Sequence, residues 1–174
     1  MFFEPKIYSN MSSGSVEVIC GSMFSGKTQE LIRRLNRLKV AKKKFIIFKP
    51  AIDTRYDKNK IVSHNKDFIT ATTVNNIAEI KELISDEKVI AIDEAQFFDD
   101  TLITLCNDLA DQGKRVIICG LDMDYLGLPF GIMPSIMAIS DRVTKLHAVC
   151  SDCGDTANYS YRKGTDHNLS LIHI

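Results

Sequence analysis

Residues 21–28, Gly-Ser-Met-Phe-Ser-Gly-Lys-Thr, separate the apolar, β-branched run Val16–Cys20 from a stretch of helical periodicity that opens at Lys27. Gly-x-x-x-x-Gly-Lys-Thr between a strand and a helix is a phosphate-binding loop, and each part has a physical task. Gly21 and Gly26 let the backbone curl, so that N–H groups of Ser22, Met23, Phe24 and Ser25 surround phosphate oxygens. The helix N-terminus adds partial positive charge. Lys27 supplies a full charge at the β- and γ-phosphates, and Thr28 offers a hydroxyl to magnesium. The loop predicts a bound nucleoside triphosphate and magnesium-dependent phosphoryl chemistry.

Around the loop, apolar runs alternate with helical patterns. Strands are predicted at Val16–Cys20, Phe45–Phe48, Val89–Ile92, Val116–Cys119 and Val143–Ala148. Helices are predicted over Lys27–Lys43, around Ile77, Ile80 and Ile84, and over Thr101–Leu109. This alternation implies an α/β fold, a mostly parallel sheet with helices on both faces. Ligands of such sheets bind at the carboxyl ends of the strands. The sequence divides into a polar tail at 1–15, expected to be poorly ordered, a nucleotide-binding α/β domain at 16–149, and a polar appendage at 150–174 without an evident strand or helix.

A second element is needed to hold the metal. Val89-Ile90-Ala91-Ile92-Asp93-Glu94 supplies four apolar strand residues ending in two carboxylates. In enzymes with such loops a carboxylate at a strand end orients magnesium. Asp93 is the candidate, and Glu94, one step on, is free to act as a general base on a hydroxyl or water. Asn65-Lys66-Asp67-Phe68 fails the Asn-Lys-x-Asp pattern that selects guanine, so adenine is the expected base.

Composition narrows the partners. Lys+Arg and Asp+Glu are equal at 22 each, so the chain carries no electrostatic footprint for non-specific nucleic-acid binding. No apolar run reaches the roughly 18 residues of a membrane span, and no signal-peptide pattern opens the chain. Five cysteines do not make a disulfide framework. Cys20, Cys106 and Cys119 lie in apolar runs and read as buried thiols, whereas Cys150 and Cys153 have metal-ligand spacing. This usage suits a reducing cytoplasm.

Several motifs in order resemble the thymidine kinases of the cytosolic, zinc-containing (type II) family. They are the loop at 21–28, Lys49-Pro50 with Asp53-Thr54-Arg55-Tyr56, Ser63-His64, Asp93-Glu94-Ala95-Gln96-Phe97-Phe98, Gly120-Leu121-Asp122 with Pro129-Phe130-Gly131, and Cys150-x-x-Cys153-Gly154. The resemblance implies a P-loop NTPase (RecA-like) fold and transfer of the γ-phosphoryl group of ATP to the 5′-hydroxyl of thymidine. It also implies a homotetramer and inhibition by thymidine triphosphate. By resemblance Glu94 is the catalytic base, Asp93 the carboxylate near magnesium, and Arg55 an arginine near the phosphates, with Ala95 and Gln96 in the same nucleotide-binding segment. Met23, Phe97, Leu121, Tyr125 and Phe130 match positions lining the thymine pocket, and Ser160 matches a hydroxyl residue near the base. Gln96 either orients the neighbouring carboxylate or contacts nucleotide. His64 matches a family position, for which a structural hydrogen bond is the expected role.

Zinc wants four tetrahedral ligands, and Cys150 and Cys153 provide two. The family's second pair and the tyrosine-bearing loop before it are not found, and His167 and His173 have the wrong spacing. Leu169–Ile174 do not resemble the family, so the family sequence is expected to end soon after Lys163. The consequence expected is an intact phosphate site, weak thymidine binding and activity that is low or absent. A switch-type ATPase whose Glu94 activates water also suits the Asp93-Glu94 pair; a non-catalytic nucleotide-binding module is a third reading, but it would tolerate loss of Glu94, which is present here.

Overall fold

The structure, a computed structural model, describes residues 13–53, 60–62, 68–162 and 172–173. Chain order runs β1 (Ser15–Gly21), α1 (Lys27–Val40), β2 (Phe45–Pro50), β3 (Lys60–Val62), β4 (Phe68–Thr70), β5 (Thr72–Val74) and α2 (Ile77–Leu83). It continues through β6 (Val89–Ile92), a 3-10 turn at Ala95–Phe97, α3 (Thr101–Asp111), β7 (Arg115–Gly120), α4 (Met133–Ile139) and β8 (Arg142–Leu146). Four short strands follow, β9 (Ala148–Val149), β10 (Thr156–Ala157), β11 (Tyr161–Arg162) and β12 (Ile172–His173).

Six strands form one sheet in the order β5-β2-β6-β7-β1-β8, every pairing parallel. Side chains alternate across it, as strand geometry requires. Val16, Val18, Cys20, Ile90, Ile92, Val116 and Ile118 face α2, α3 and α4, where they meet Ile80, Leu102, Leu105 and Met133. Ile19, Ile47, Ala91 and Ile117 face the other way, against Leu31, Ile32 and Leu35 of α1 and Ile61 and Ile69 of the β3–β4 hairpin. Both faces are covered, so the strands read as continuous apolar runs. No helix among the described residues is long and apolar enough to cross a membrane.

The helix predicted over 27–43 stops at Val40, because Lys42 turns left-handed with φ 52° and the Lys43 N–H returns to the Leu38 carbonyl. The last predicted strand, 143–148, is two strands interrupted at His147. The polar segment after Cys150 is not strandless: β10 pairs back on β9, and β11 pairs with β12. The β3–β4 hairpin, β5 and α4 lie outside the predicted elements. Most of the expected N-terminal tail, residues 1–12, lies outside the described residues.

Candidate nucleotide and acceptor site

Because all strands of the main sheet are parallel, their carboxyl ends share one edge. Gly21 closes β1 there and Asp93 follows β6, with β7 between the two strands. Two strand spacings separate the loop from the carboxylates, about 10 Å, a gap that phosphate groups can occupy.

The loop is closed around its lysine. Lys27 is 8% exposed, and its Nζ donates to the Ser22 carbonyl at 2.7 Å. The Ser25 hydroxyl donates to the same carbonyl at 2.8 Å. Gly26 is left-handed (φ 85°), and α1 begins directly after it with no side-chain cap, so its first N–H groups are left for a ligand. A groove of about 550 Å³, lined by Ser25, Gly26, Gln29, Arg33 and Leu146 among others, runs along the start of the helix.

The segment after β10 lies on the loop. Ser22 Oγ donates to the Ala157 carbonyl at 3.3 Å, and the Met23 N–H donates to Ser160 Oγ at 2.9 Å. Met23 and the buried Ser160 are thus neighbours although 137 residues apart. The Met23 N–H is committed to this contact, and the Ser25 N–H donates to the Ser22 carbonyl at 3.4 Å.

Asp93 is 5% exposed, and its Oδ1 accepts the Glu94 N–H at 3.0 Å. Burial, and after it the negative charge of Glu94, push its carboxyl up to about 7. An oxygen donor in that condition suits a divalent cation, whose charge would favour the ionised form. Asp93 and the Thr28 hydroxyl, the first after β6 and the second in the first turn of α1, are oxygen donors of the kind magnesium takes. Cys119 lies beside Asp93 on the neighbouring strand, 1% exposed, with its thiol raised well above the ordinary value by burial and then by the Asp93 charge.

Glu94 takes a left-handed backbone (φ 52°, ψ 42°) and opens the 3-10 turn. Its carboxylate accepts from Gln96 Nε2, while Gln96 Oε1 accepts the Leu121 N–H at 3.0 Å. Phe97, in the same turn, meets Phe130 edge to face, ring centroids 5.8 Å apart at 82°. The structure thus brings together Glu94, Gln96, Leu121, Phe97 and Phe130. Tyr125 is 42% exposed on the loop after β7.

Gly131 shows why this loop needs glycine. Its φ is +51°, and a Cβ there would stand 2.5 Å from the Gln96 carbonyl oxygen. Gly131→Ala should lower the melting temperature by about 4–8 °C, combining left-handed strain with a backbone overlap that cannot relax. Gly154→Ala is the control, since Gly154 has φ +75° with nothing within 4 Å. Its loss in a thermal melt should be visibly smaller.

Arg55, His64 and His167 lie outside the described residues. Cys150 and Cys153 sit on one turn, with the Gly154 N–H donating to the Cys150 carbonyl at 2.9 Å. Backbone N–H groups of Cys153 and Asp152 hold the Cys150 thiol below its ordinary value, as a thiolate ligand needs. No group of three or more His, Cys, Asp or Glu that could hold a metal occurs among the described residues. The Cys-x-x-Cys spacing is that of a ligand pair, and a structural zinc site would need two further donors beside it.

Two ion pairs at this edge, each with at least one buried partner, are not evident from the sequence. Lys49, 1% exposed, stands 3.9 Å from Asp53, and Lys145 stands 2.8 Å from the buried Asp122. The available signal was a charged residue directly after an apolar strand, which reads equally as a solvated strand end.

The family model described as thymidine kinase matches residues 14–173. A thymidine kinase of Bacteroides fragilis is 53% identical over 162 residues, 93% of this chain and 81% of that protein. One of Porphyromonas gingivalis is 58% identical over 150 residues, 86% of this chain and 74% of that protein. One of a Rhodothermus species is 50% identical over 163 residues, 93% and 76% of the two. With a phosphate loop, a buried strand-end carboxylate and a tethered glutamate at one sheet edge, and with relatives this similar along most of its length, the chain belongs to the thymidine kinase family.

Proposed function

We propose that this chain transfers the γ-phosphoryl group of ATP to the 5′-hydroxyl of thymidine, giving thymidine monophosphate and ADP. The observation that carries the reading is the Glu94 carboxylate, held by Gln96 at the same sheet edge as the Lys27 loop. Lys27 leaves the Ser22 carbonyl for the β- and γ-phosphate oxygens, joined by loop N–H groups and the α1 N-terminus. The groove beside α1 gives the adenosine half a place to lie. Thr28 and Asp93 would hold magnesium, which when bound neutralises charge on the phosphates. Met23, Phe97, Leu121, Tyr125, Phe130 and Ser160 surround the thymine base and set the 5′-hydroxyl toward Glu94. Glu94 takes the hydroxyl proton as the new O–P bond forms and the bond from the γ-phosphorus to the β-bridging oxygen breaks. Arg55 would add a guanidinium near the transferring group.

The same reading assigns zinc to Cys150 and Cys153 with further ligands, and takes the enzyme as a cytoplasmic homotetramer that acts on small molecules, not on nucleic acid. ADP release from ATP and magnesium, measured with and without thymidine, tests the activity. A kinase needs the nucleoside. Release at the same rate without thymidine would identify a water-activating ATPase, and none under either condition a binding module.

A further inference from the structure

We propose that Gln96 is the positioning residue of the base, a side-chain clamp that aims the Glu94 carboxylate and is itself fixed by the backbone of Leu121. The proposal rests on Glu94 acting as the base.

Gln96 is 4% exposed. A primary amide has a donor end and an acceptor end, and only its partners decide which is which. Here the Leu121 N–H, which can only donate, lies 3.0 Å from one end, so that end must be the carbonyl oxygen. The NH2 group is therefore turned to the Glu94 carboxylate. The orientation that makes Gln96 a donor to the base is set by main chain, the least adjustable partner available.

The surrounding backbone leaves room for this side chain. A Cβ on Gly120 would meet Gln96 Oε1 at 2.7 Å, and one on Gly131 would meet the Gln96 carbonyl at 2.5 Å. Glu94 needs such a clamp because it sits on a left-handed hinge between β6 and one 3-10 turn, not within a regular element. A base that swings by about 1 Å loses on the order of 100-fold in rate. Leu121, the anchor, is also a candidate wall of the thymine pocket, so the clamp joins the base to the strand end that shapes the acceptor site.

Gln96→Glu separates the two ends of the clamp: the acceptor for Leu121 is kept and the donor to Glu94 becomes a second carboxylate. It should lower kcat by about 10- to 100-fold while the KM values for ATP and thymidine stay within threefold. Gln96→Met, close in size and uncharged, guards against a fold lost to the added charge, and should also lower kcat with both KM values held. In a Glu94→Gln background Gln96→Glu should cost less than threefold further, because a residue that works through the base has nothing left to aim. The proposal is overturned if Gln96→Glu keeps kcat within twofold. It is also overturned if the loss appears as a raised KM for ATP (a direct nucleotide contact), or if the two substitutions multiply in the double variant. Retention of full rate by Glu94→Gln alone would instead overturn the assignment of Glu94 as base.

Discussion

Glu94→Gln should reduce thymidine-dependent ADP release by about 10²- to 10⁴-fold, the range for removal of a general base, and leave ATP binding within a few-fold. The substitution preserves shape, so its effect isolates the proton acceptor. Two arrangements make the expected loss specific. The Glu94 backbone is held by the Asp93 carboxylate at 3.0 Å, and the Leu121 N–H fixes Gln96, so the loop should not collapse when the charge is lost. The phosphate loop makes its own closing contacts, Lys27 and Ser25 to the Ser22 carbonyl, on the strand two positions away. Rapid-quench turnover with saturating ATP, beside equilibrium binding of a fluorescent ATP analogue, separates the two. A loss of ATP binding as large as the loss of turnover would mean that Glu94 holds the nucleotide or the fold and is not the base.

Much of this was legible because the chemistry sits on the regular part of the fold. A strand buried on both faces reads as an unbroken apolar run, and Val89–Ile92 is bounded as predicted because two carboxylates follow it at once. The phosphate loop was equally plain, since its glycines and lysine have fixed spacing. What escaped depends on distant contacts. α4 opens Met-Pro-Ser and is apolar nearly all round, so it carries a breaker residue and no amphipathic period, yet proline is tolerated in a first turn. The β3–β4 and β9–β10 pairs have two or three residues per strand, too few for any period to register. The role of Gln96 was left open between carboxylate and nucleotide because nothing local reveals that the Leu121 amide, 25 residues on, fixes which way its amide faces. Ser160 was placed only by resemblance, because the hydrogen bond that sets it against the phosphate loop comes from the Met23 amide, 137 residues away.

A second large effect is expected in stability, from Glu17. It lies in β1 on the face that Ile19 shares with α1, where a hydrocarbon would be expected, and is 4% exposed. Arg115 binds it through two nitrogens at 2.8 Å each, Arg34 adds a contact at 3.0 Å, and Arg142 stands at 3.9 Å. Burial alone would raise its carboxyl, but the three guanidinium groups outweigh that and hold it below the ordinary 4.5. Glu17→Ala leaves the partly covered Arg115 without its anion and Arg34, 14% exposed, with Glu30 alone. Breaking a buried pair from one side costs about 3–5 kcal/mol, a large part of the roughly 5–15 kcal/mol that holds a domain folded. Urea unfolding at pH 7 should show the midpoint falling with the slope unchanged. The acid limb gives an independent check. A carboxyl lowered in the folded state contributes its stability above its unfolded value and loses it as pH falls through the folded one. Glu30, held at about 2 by Arg33 and Arg34, shares Arg34 with Glu17, so the cluster should hold the native protein's stability at pH 5 and release it between about pH 4.5 and 2. Glu17→Ala should therefore start lower at pH 7 and lose less on acidification than the native chain. Parallel acid limbs for the two proteins would show that the carboxylate contributes no more folded than unfolded, and that its burial is a matter of packing.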